Sequence, residues 1–328
     1  MTPKKPVVVI TGTSSGIGRA TAYRFARRGA SVVLASRREE ELAVVAAECE
    51  RRGGRALPVP TDTTDEAAVA RLAEAAITRF GRIDVWVNAA GISVFGTFLD
   101  IPTEDFRRVI DVDLMGYVHG SRSALRAMRQ QQSGVLINVS SILGEIPQPY
   151  STPYGMAKAA VLALDISLRQ ELALQKAKKI HVVSVLPPTI DTPFFDHAGD
   201  YTGRQVVAMP PVYPAGKVAK AIVAASVSPR AEVIVTAAGK ALVAAHRRTP
   251  RPVEAQMAAL TEKAQLSRKR TIAPTAGTIY APSTNPADAR ISGGWIPRKR
   301  AHRRRFVGWT IAIVGGAFLW QRRIRQKQ

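Results

Sequence analysis

Cysteine is almost missing: Cys49 is the only one in 328 residues. One thiol closes no internal disulfide, so the chain is not a disulfide scaffold, and a reducing compartment fits. Aromatic residues make up 6% of the chain, too few for a row of base-stacking platforms. No zinc-ligand spacing, other metal set or helix-turn-helix pattern accompanies them, so nucleic acid ranks last among anionic partners. Acids are outnumbered: 25 Asp and Glu against 47 Lys and Arg leave a net charge of +22. Ten of the bases fall between Arg298 and the C-terminus with no acid among them, so the remainder carries +12. That balance suits a nucleotide cofactor or lipid headgroups. Long apolar runs are scarce, and no internal repeat is present. Residues 1–6 lead straight into a strand, without the apolar core of a signal peptide.

What is present is an alternation of short β-branched runs with helical patterns. Val7-Val8-Val9-Ile10 reads as a buried strand. Further strands are expected over 31–35, 56–59, 85–87, 135–139 and 181–186, with an edge strand over 232–236. Helices are expected over 17–28, 39–52, 64–80, 102–132, the stretch carrying Tyr154, and 217–226. This alternation predicts an α/β fold: a doubly wound parallel sheet with helices on both faces and right-handed crossovers. Ligands bind such sheets outside the carboxyl ends of the strands, so chemistry is sought there.

Thr11-Gly12-Thr13-Ser14-Ser15-Gly16-Ile17-Gly18 follows the first strand and opens a helix. Glycines at that place let backbone N–H groups approach a pyrophosphate at a helix N-terminus. Gly12, Ser14, Ser15, Gly16, Ile17 and Gly18 are therefore cofactor-binding candidates. The second strand ends in Ser36-Arg37-Arg38 with no acid to hold a ribose 2′-OH. Arg37 and Arg38 suit a 2′-phosphate, which predicts NADP (NADPH) over NAD. The fourth strand breaks into Asn88-Ala89-Ala90-Gly91, small residues against which a cofactor can lie. Asn88, Ala89 and Gly91 join the candidates.

Ser141 ends the run 135–139, where a hydroxyl faces the ligand crevice. Tyr154 and Lys158 are four apart on a helix and share one face. An ammonium beside a phenol favours the phenolate and lowers the Tyr pKa from its usual ~10. Such a Tyr passes a proton to or from a substrate oxygen near neutral pH. Alone, a Tyr-x-x-x-Lys pair is more often a surface helix pair; the other motifs carry the reading.

The Gly-rich turn, Asn88 to Gly91, Ser141, Tyr154 and Lys158, in this order and register, resemble the compact single-domain branch of the short-chain dehydrogenase/reductase family over about residues 6–235. The resemblance implies a Rossmann-like fold and an NAD(P)-dependent oxidoreductase acting on CH–OH groups. It implies Tyr154 as general acid/base, Lys158 as the group that lowers its pKa and holds the nicotinamide ribose, and Ser141 as the group orienting the substrate oxygen. It puts Asp62 and Thr63 beside the adenine. Ile190 and Thr192 then lie beside the nicotinamide carboxamide, with Pro187 at the same strand end. Dimers or tetramers are common in the family, so a homo-oligomer is implied.

Two departures stand out. Asp113 occupies a place where the family usually has Asn, whose side chain helps hold a water linking the Lys to solvent. Pro188 stands where the family usually has Gly and removes an N–H. An ionised Asp113 near Lys158 would raise the Lys pKa and partly cancel its field on Tyr154, which makes Asp113 a candidate member of the proton path. The alternative is that Asp113 pairs with Arg107 or Arg108.

Residues 191–214 read as a loop carrying Phe194, Phe195, Tyr201, Met209 and Tyr213. Phe95, Phe98, Leu143, Ile146 and Tyr150 lie at other strand ends. Together they predict an apolar cleft for a small lipophilic substrate, unless they pack only against the scaffold. The functional expectation is interconversion of a lipophilic alcohol and a ketone or aldehyde. Its rival is a nucleotide-sensing scaffold on the same fold that has lost turnover.

The chain divides into residues 1–246, the dehydrogenase domain; 247–305, a helical and irregular extension ending in a basic linker; 306–320, an apolar segment; and 321–328, a basic tail. Short helices are expected at 238–246 and 252–265, then a Pro-, Gly-, Ser- and Thr-rich linker over 271–297. As a helix, residues 306–320 would span ~22 Å, short of the ~30 Å hydrocarbon layer. Flanking arginines can snorkel, and Trp309 and Trp320 suit headgroup depth. A membrane-anchor helix is expected, with a cytoplasmic enzyme domain on its more basic side; an in-plane or partner-bound helix and a soluble core helix are the alternatives.

Overall fold

The computed structural model describes residues 5–296. The apolar segment 306–320 and its basic flanks lie outside the described residues. Among the described residues no helix is long and apolar enough to cross a membrane.

Seven strands form one parallel sheet: β1 (Val7–Thr11), β2 (Ser31–Ser36), β3 (Arg55–Pro60), β4 (Val85–Asn88), β5 (Gly134–Val139), β6 (Ile180–Leu186) and β7 (Glu232–Ile234). Their order across the sheet is β7-β6-β5-β4-β1-β2-β3. Strand order reverses beside β1, so a crevice opens between the carboxyl ends of β1 and β4. The central strands are buried on both faces, as all-parallel sheets require.

Period-two alternation sends Val8, Ile10, Val32 and Leu34 to one face and Val9, Val33 and Trp86 to the other. The first face is covered by α1 (Gly16–Ala26), α2 (Glu39–Arg51) and α7 (Ala215–Val227). The second is covered by α3 (Glu66–Phe80), α5 (Gly116–Gln130) and α6 (Thr152–Leu174). Asp65 caps α3 by accepting from the Ala67 and Ala68 N–H groups at 2.8 and 3.1 Å, a cap worth about 1 kcal/mol.

The helix expected over 102–132 is broken in two. Its first part, α4 (Thr103–Ile110), passes through a wide π-type turn at Asp111–Met115 before α5 begins. Such wide turns often mark functional sites, and this one holds Asp113 fully buried.

Two helices follow the sheet, α8 (Ala237–Arg248) and α9 (Pro250–Ala264). Val243, Val253 and Met257 bury against Ile142, Ile146 and Leu186, so the extension packs on the sheet's carboxyl end. A strand at Leu266–Thr271 then pairs antiparallel with Arg204–Val206, inside the stretch expected to be an open loop.

Candidate active site

The carboxyl ends of β1, β4, β5 and β6 line one cavity of about 290 Å³. Thr11 joins two of them: its Oγ1 accepts from the Ala89 N–H at 3.0 Å and the Ala90 N–H at 3.3 Å. Only glycine fits next in the chain. Gly12 has φ +73°, and a Cβ there would lie 2.7 Å from the Ala90 Cα. Gly12, Ser14, Ser15, Gly16, Ile17, Gly18, Arg37, Arg38, Asp62, Thr63, Ala89 and Gly91 all line the cavity, as do Ser141, Tyr154, Lys158, Pro187, Ile190 and Thr192. Pro188 lines it too.

Two of the sequence candidates do not. Asn88 is buried beneath the cavity, where its amide donates to Asn138 Oδ1 and its Oδ1 accepts from the Trp86 indole, each at 2.8 Å. It braces β4 against β5. Asp113 lies behind Lys158. Its Oδ2 pairs with the ammonium at 3.0 Å, and its Oδ1 accepts from the Ile92 N–H at 2.8 Å. The pairing with Arg107 or Arg108 does not occur: Arg108 turns to Asp62, Thr64 and the Ile279 carbonyl.

Lys158 is buried. Its ammonium donates to Tyr117 Oη at 3.0 Å, and Tyr117 Oη donates to the Val139 carbonyl at 2.9 Å. The ammonium also stands 5.5 Å from the centre of the Tyr154 ring. Tyr117 was not singled out from the sequence, although its position four residues beyond Asp113 on a helical run is a usable signal.

The electrostatics correct one expectation. Burial is the largest influence on Tyr154 and pushes its pKa above the ordinary phenol value. Lys158 and a hydrogen bond with Ser141 act in the opposite sense, while Asp113 adds to the rise. Lys158 alone would have lowered it; burial and Asp113 together outweigh Lys158. Burial would lower Lys158, but Asp113, Tyr117 and Tyr154 carry its pKa above the ordinary value. Asp113 is pushed up by burial against the pull of Lys158 and the Ile92 N–H.

Asp113→Asn keeps an acceptor for the Ile92 N–H and removes the negative charge. With that charge gone the Tyr154 pKa falls, so phenolate forms at lower pH. The rising limb of the pH–rate profile for alcohol oxidation should move to lower pH, with activity kept or raised. Asp113→Ala also strands the Ile92 N–H, at a cost of about 1–3 kcal/mol, and should be the worse of the two. Steady-state kinetics across the neutral and alkaline range, with chemistry rate-limiting, read both effects. Profiles that coincide for all three proteins would remove Asp113 from the proton path.

At the substrate end, Phe95, Leu143, Phe194, Phe195 and Met209 line the cavity. The Tyr154 and Phe194 rings meet edge to face at 5.4 Å, and Phe194 and Phe195 do the same at 5.4 Å. The other expected wall residues go elsewhere. Phe98 is 65% exposed and packs on Phe106, and Ile146 joins the core under α8 and α9. Tyr150 donates to Glu262, Tyr201 to Asp105, and Tyr213 packs under Lys217.

The β2 end of the cavity departs from expectation. Residues 271–296, expected to be a linker, run across it. Arg37 donates to the carbonyls of Tyr280 at 2.5 Å, Thr278 at 3.4 Å and Ile279 at 3.5 Å. Thr278, Pro282 and Ser283 line the cavity. The Arg38 side chain is 8% exposed, with Glu41 3.9 Å away. Its Nη1 is buried and has no hydrogen-bond partner. Arg37 is thus tied to the chain's own carbonyls, while the buried Arg38 Nη1 meets Glu41 only at ion-pair range.

Comparison with known proteins agrees with this geometry. The family described as short chain dehydrogenase matches residues 6–203, and the chain belongs to it as an NAD(P)-dependent oxidoreductase. Among its relatives is the uncharacterized oxidoreductase YxnA of Bacillus subtilis, 33% identical over 323 residues, spanning 97% of this chain and 90% of that one. The 3-oxoacyl-[acyl-carrier-protein] reductase FabG of Thermotoga maritima is 35% identical over 187 residues, 57% of this chain and 75% of that one. A short chain dehydrogenase/reductase from Burkholderia phymatum, solved in complex with NAD, shares the fold. Its TM-score is 0.67 at 23% identity, over 82% of this chain and 98% of that one.

Proposed function

We propose that the protein interconverts a lipophilic alcohol and its ketone or aldehyde, with NADP as the dinucleotide. The observation that carries the reading is the place of Tyr154. It stands where the Gly-rich crevice meets a pocket walled by Phe95, Phe194 and Phe195. The cradle at Gly12 and the buried Arg38 Nη1, which makes no hydrogen bond and faces Glu41 only at 3.9 Å, both fit a phosphorylated dinucleotide. Gly12, Ser14, Ser15 and Ile17 would hold its pyrophosphate, and Arg38 its 2′-phosphate. When bound, the nicotinamide gives or takes the hydride.

The chain's own residues do the rest. Ser141 presents a hydroxyl to the substrate oxygen and to Tyr154. Tyr154 moves the proton to or from that oxygen. Lys158 supplies the positive field, and Asp113 and Tyr117 fix where its ammonium sits. The aromatic wall excludes water and favours an apolar substrate body. Purified protein with NADPH or NADH and a panel of apolar ketones tests the reading by absorbance at the nicotinamide band. Consumption of NADPH supports it. Tight cofactor binding without turnover of any ketone or alcohol would favour the scaffold role.

Cofactor choice has its own test. Arg38→Ala should weaken NADPH about 10–100-fold, the loss of a charge-assisted pair worth roughly 1.5–3 kcal/mol. NADH binding should change little. Equal affinity of the unmutated protein for the two cofactors would overturn the preference.

The basic–apolar–basic tail is read as a membrane anchor on sequence chemistry alone. Deleting residues 303–328 should move the protein from the membrane to the soluble fraction while it still reduces a water-soluble ketone. Release of the full chain by high salt without detergent would favour a surface-bound basic tail instead.

A further inference from the structure

We infer that residues 275–295 are part of the dinucleotide site: a strap roofing its adenosine half, whose lifting sets the rate of cofactor exchange. The inference rests on the dinucleotide reading above and concerns a stretch beyond the matched family region.

The strap forms a wall without filling the space beneath it. Thr278, Pro282 and Ser283 line the same cavity as Gly12 and Arg38. It also docks on the phosphate-binding turn: the Gly16 N–H donates to the Arg290 carbonyl at 3.1 Å. A dinucleotide lying between the Gly-rich turn and Arg38 would therefore be covered from above. Entry or exit past this wall needs the strap to move.

Polar contacts pin it on both sides of that cover. Upstream, Arg37 holds three successive carbonyls, and the Tyr280 hydroxyl donates to Asp105 at 2.8 Å. Downstream, Ser292 Oγ and the Trp295 N–H donate to the Asp191 carboxylate at 2.6 and 2.8 Å, and the Trp295 indole donates to the Thr192 carbonyl at 3.1 Å. Between them, Arg290 pairs with Asp196 at 3.0 Å. Asp196 belongs to the one-turn helix Phe194–His197, which also carries the aromatic wall. Lifting the strap thus loosens the substrate end as well.

The composition of the strap makes lifting inexpensive. Ile279 is its one fully buried large apolar side chain among the described residues, whereas Tyr280 is 48% exposed. Ile291 and Trp295 are only partly buried against the core and Phe195, and segments held mainly by polar contacts over limited apolar burial open at low free energy. Ile279 stays in its cluster with Val94, Ile101 and Val109, and the part beyond it lifts.

Two measurements on the full chain test this, after NADPH binding has been established by its fluorescence. Trypsin cleavage after Arg290, read by mass spectrometry, should slow at least about fivefold under saturating NADPH. Cleavage after Arg230, on the loop before β7, should not. Second, Tyr280→Ala combined with Trp295→Ala should speed NADPH dissociation in stopped flow roughly tenfold, as expected for losing one or two net hydrogen bonds. Cleavage after Arg290 that ignores bound NADPH, or an unchanged dissociation rate in the folded double variant, would overturn the strap. If the double variant does not fold, the proteolysis of the unmutated chain decides. Absence of any NADPH binding would defeat the dinucleotide reading itself, and the binding isotherm shows that separately.

Discussion

Tyr154→Phe is expected to lower kcat about 10²–10⁴-fold, the span that a positioned acid/base contributes, while NADPH binding stays close to that of the unmutated protein. The substitution removes one oxygen and keeps the ring that meets Phe194 edge to face at 5.4 Å. Packing and the apolar wall therefore survive, and the loss reports proton transfer. Steady-state kinetics with a saturating ketone, beside a fluorescence titration of NADPH, separate the two quantities. A variant with undiminished kcat would assign the proton to another group.

Lys158→Met is expected to cost stability as well as turnover. Lys158 and Asp113 form a buried pair at 3.0 Å, and removing one partner of such a pair typically costs about 3–5 kcal/mol. The penalty should depend on pH with a definite sign. In the variant Asp113 loses the Lys158 pull, and burial holds its folded pKa above its unfolded value. A carboxyl raised in this way is better tolerated at low pH, and its cost grows as pH rises through the folded pKa. Denaturant unfolding of Lys158→Met should therefore show the deficit widening from acid to neutral pH. The double variant Lys158→Met with Asp113→Asn should recover most of the stability and none of the activity. Recovery of activity would show that the ammonium does not serve Tyr154.

The sheet was legible because its strands leave little choice. Val7 to Ile10 is a continuous β-branched run and Val135 to Val139 is aliphatic apart from Asn138, as suits strands buried on both faces. Residues at the strand ends were legible for the same reason: the topology brings Gly12, Ala89, Ser141 and Ile190 to one rim. The break at Asp111–Met115 was hidden, because a single wider turn hardly disturbs a helical pattern over 30 residues. Asp113 was identifiable by its order in the chain, but its partner was not. Lys158, Arg107 and Arg108 differ only in which face of which helix meets it. The direction of the Tyr154 shift needed the extent of burial, which residue spacing does not carry. The strap was illegible in part because several of its contacts run through backbone carbonyls, those of Thr278, Ile279, Tyr280 and Arg290. Any residue supplies a carbonyl, so its Pro- and Ser-rich composition reads as a linker.

Hydride transfer with Tyr154 as its proton partner is tested most directly by isotope. The full-length protein is incubated with NADPH carrying deuterium at the transferable C4 position and an apolar ketone, and the product is read by mass spectrometry. One deuterium at the carbinol carbon is expected, with incorporation slowed about 10²–10⁴-fold in Tyr154→Phe. Bound cofactor that delivers no deuterium to any ketone in the panel, or incorporation at an equal rate in Tyr154→Phe, would contradict it.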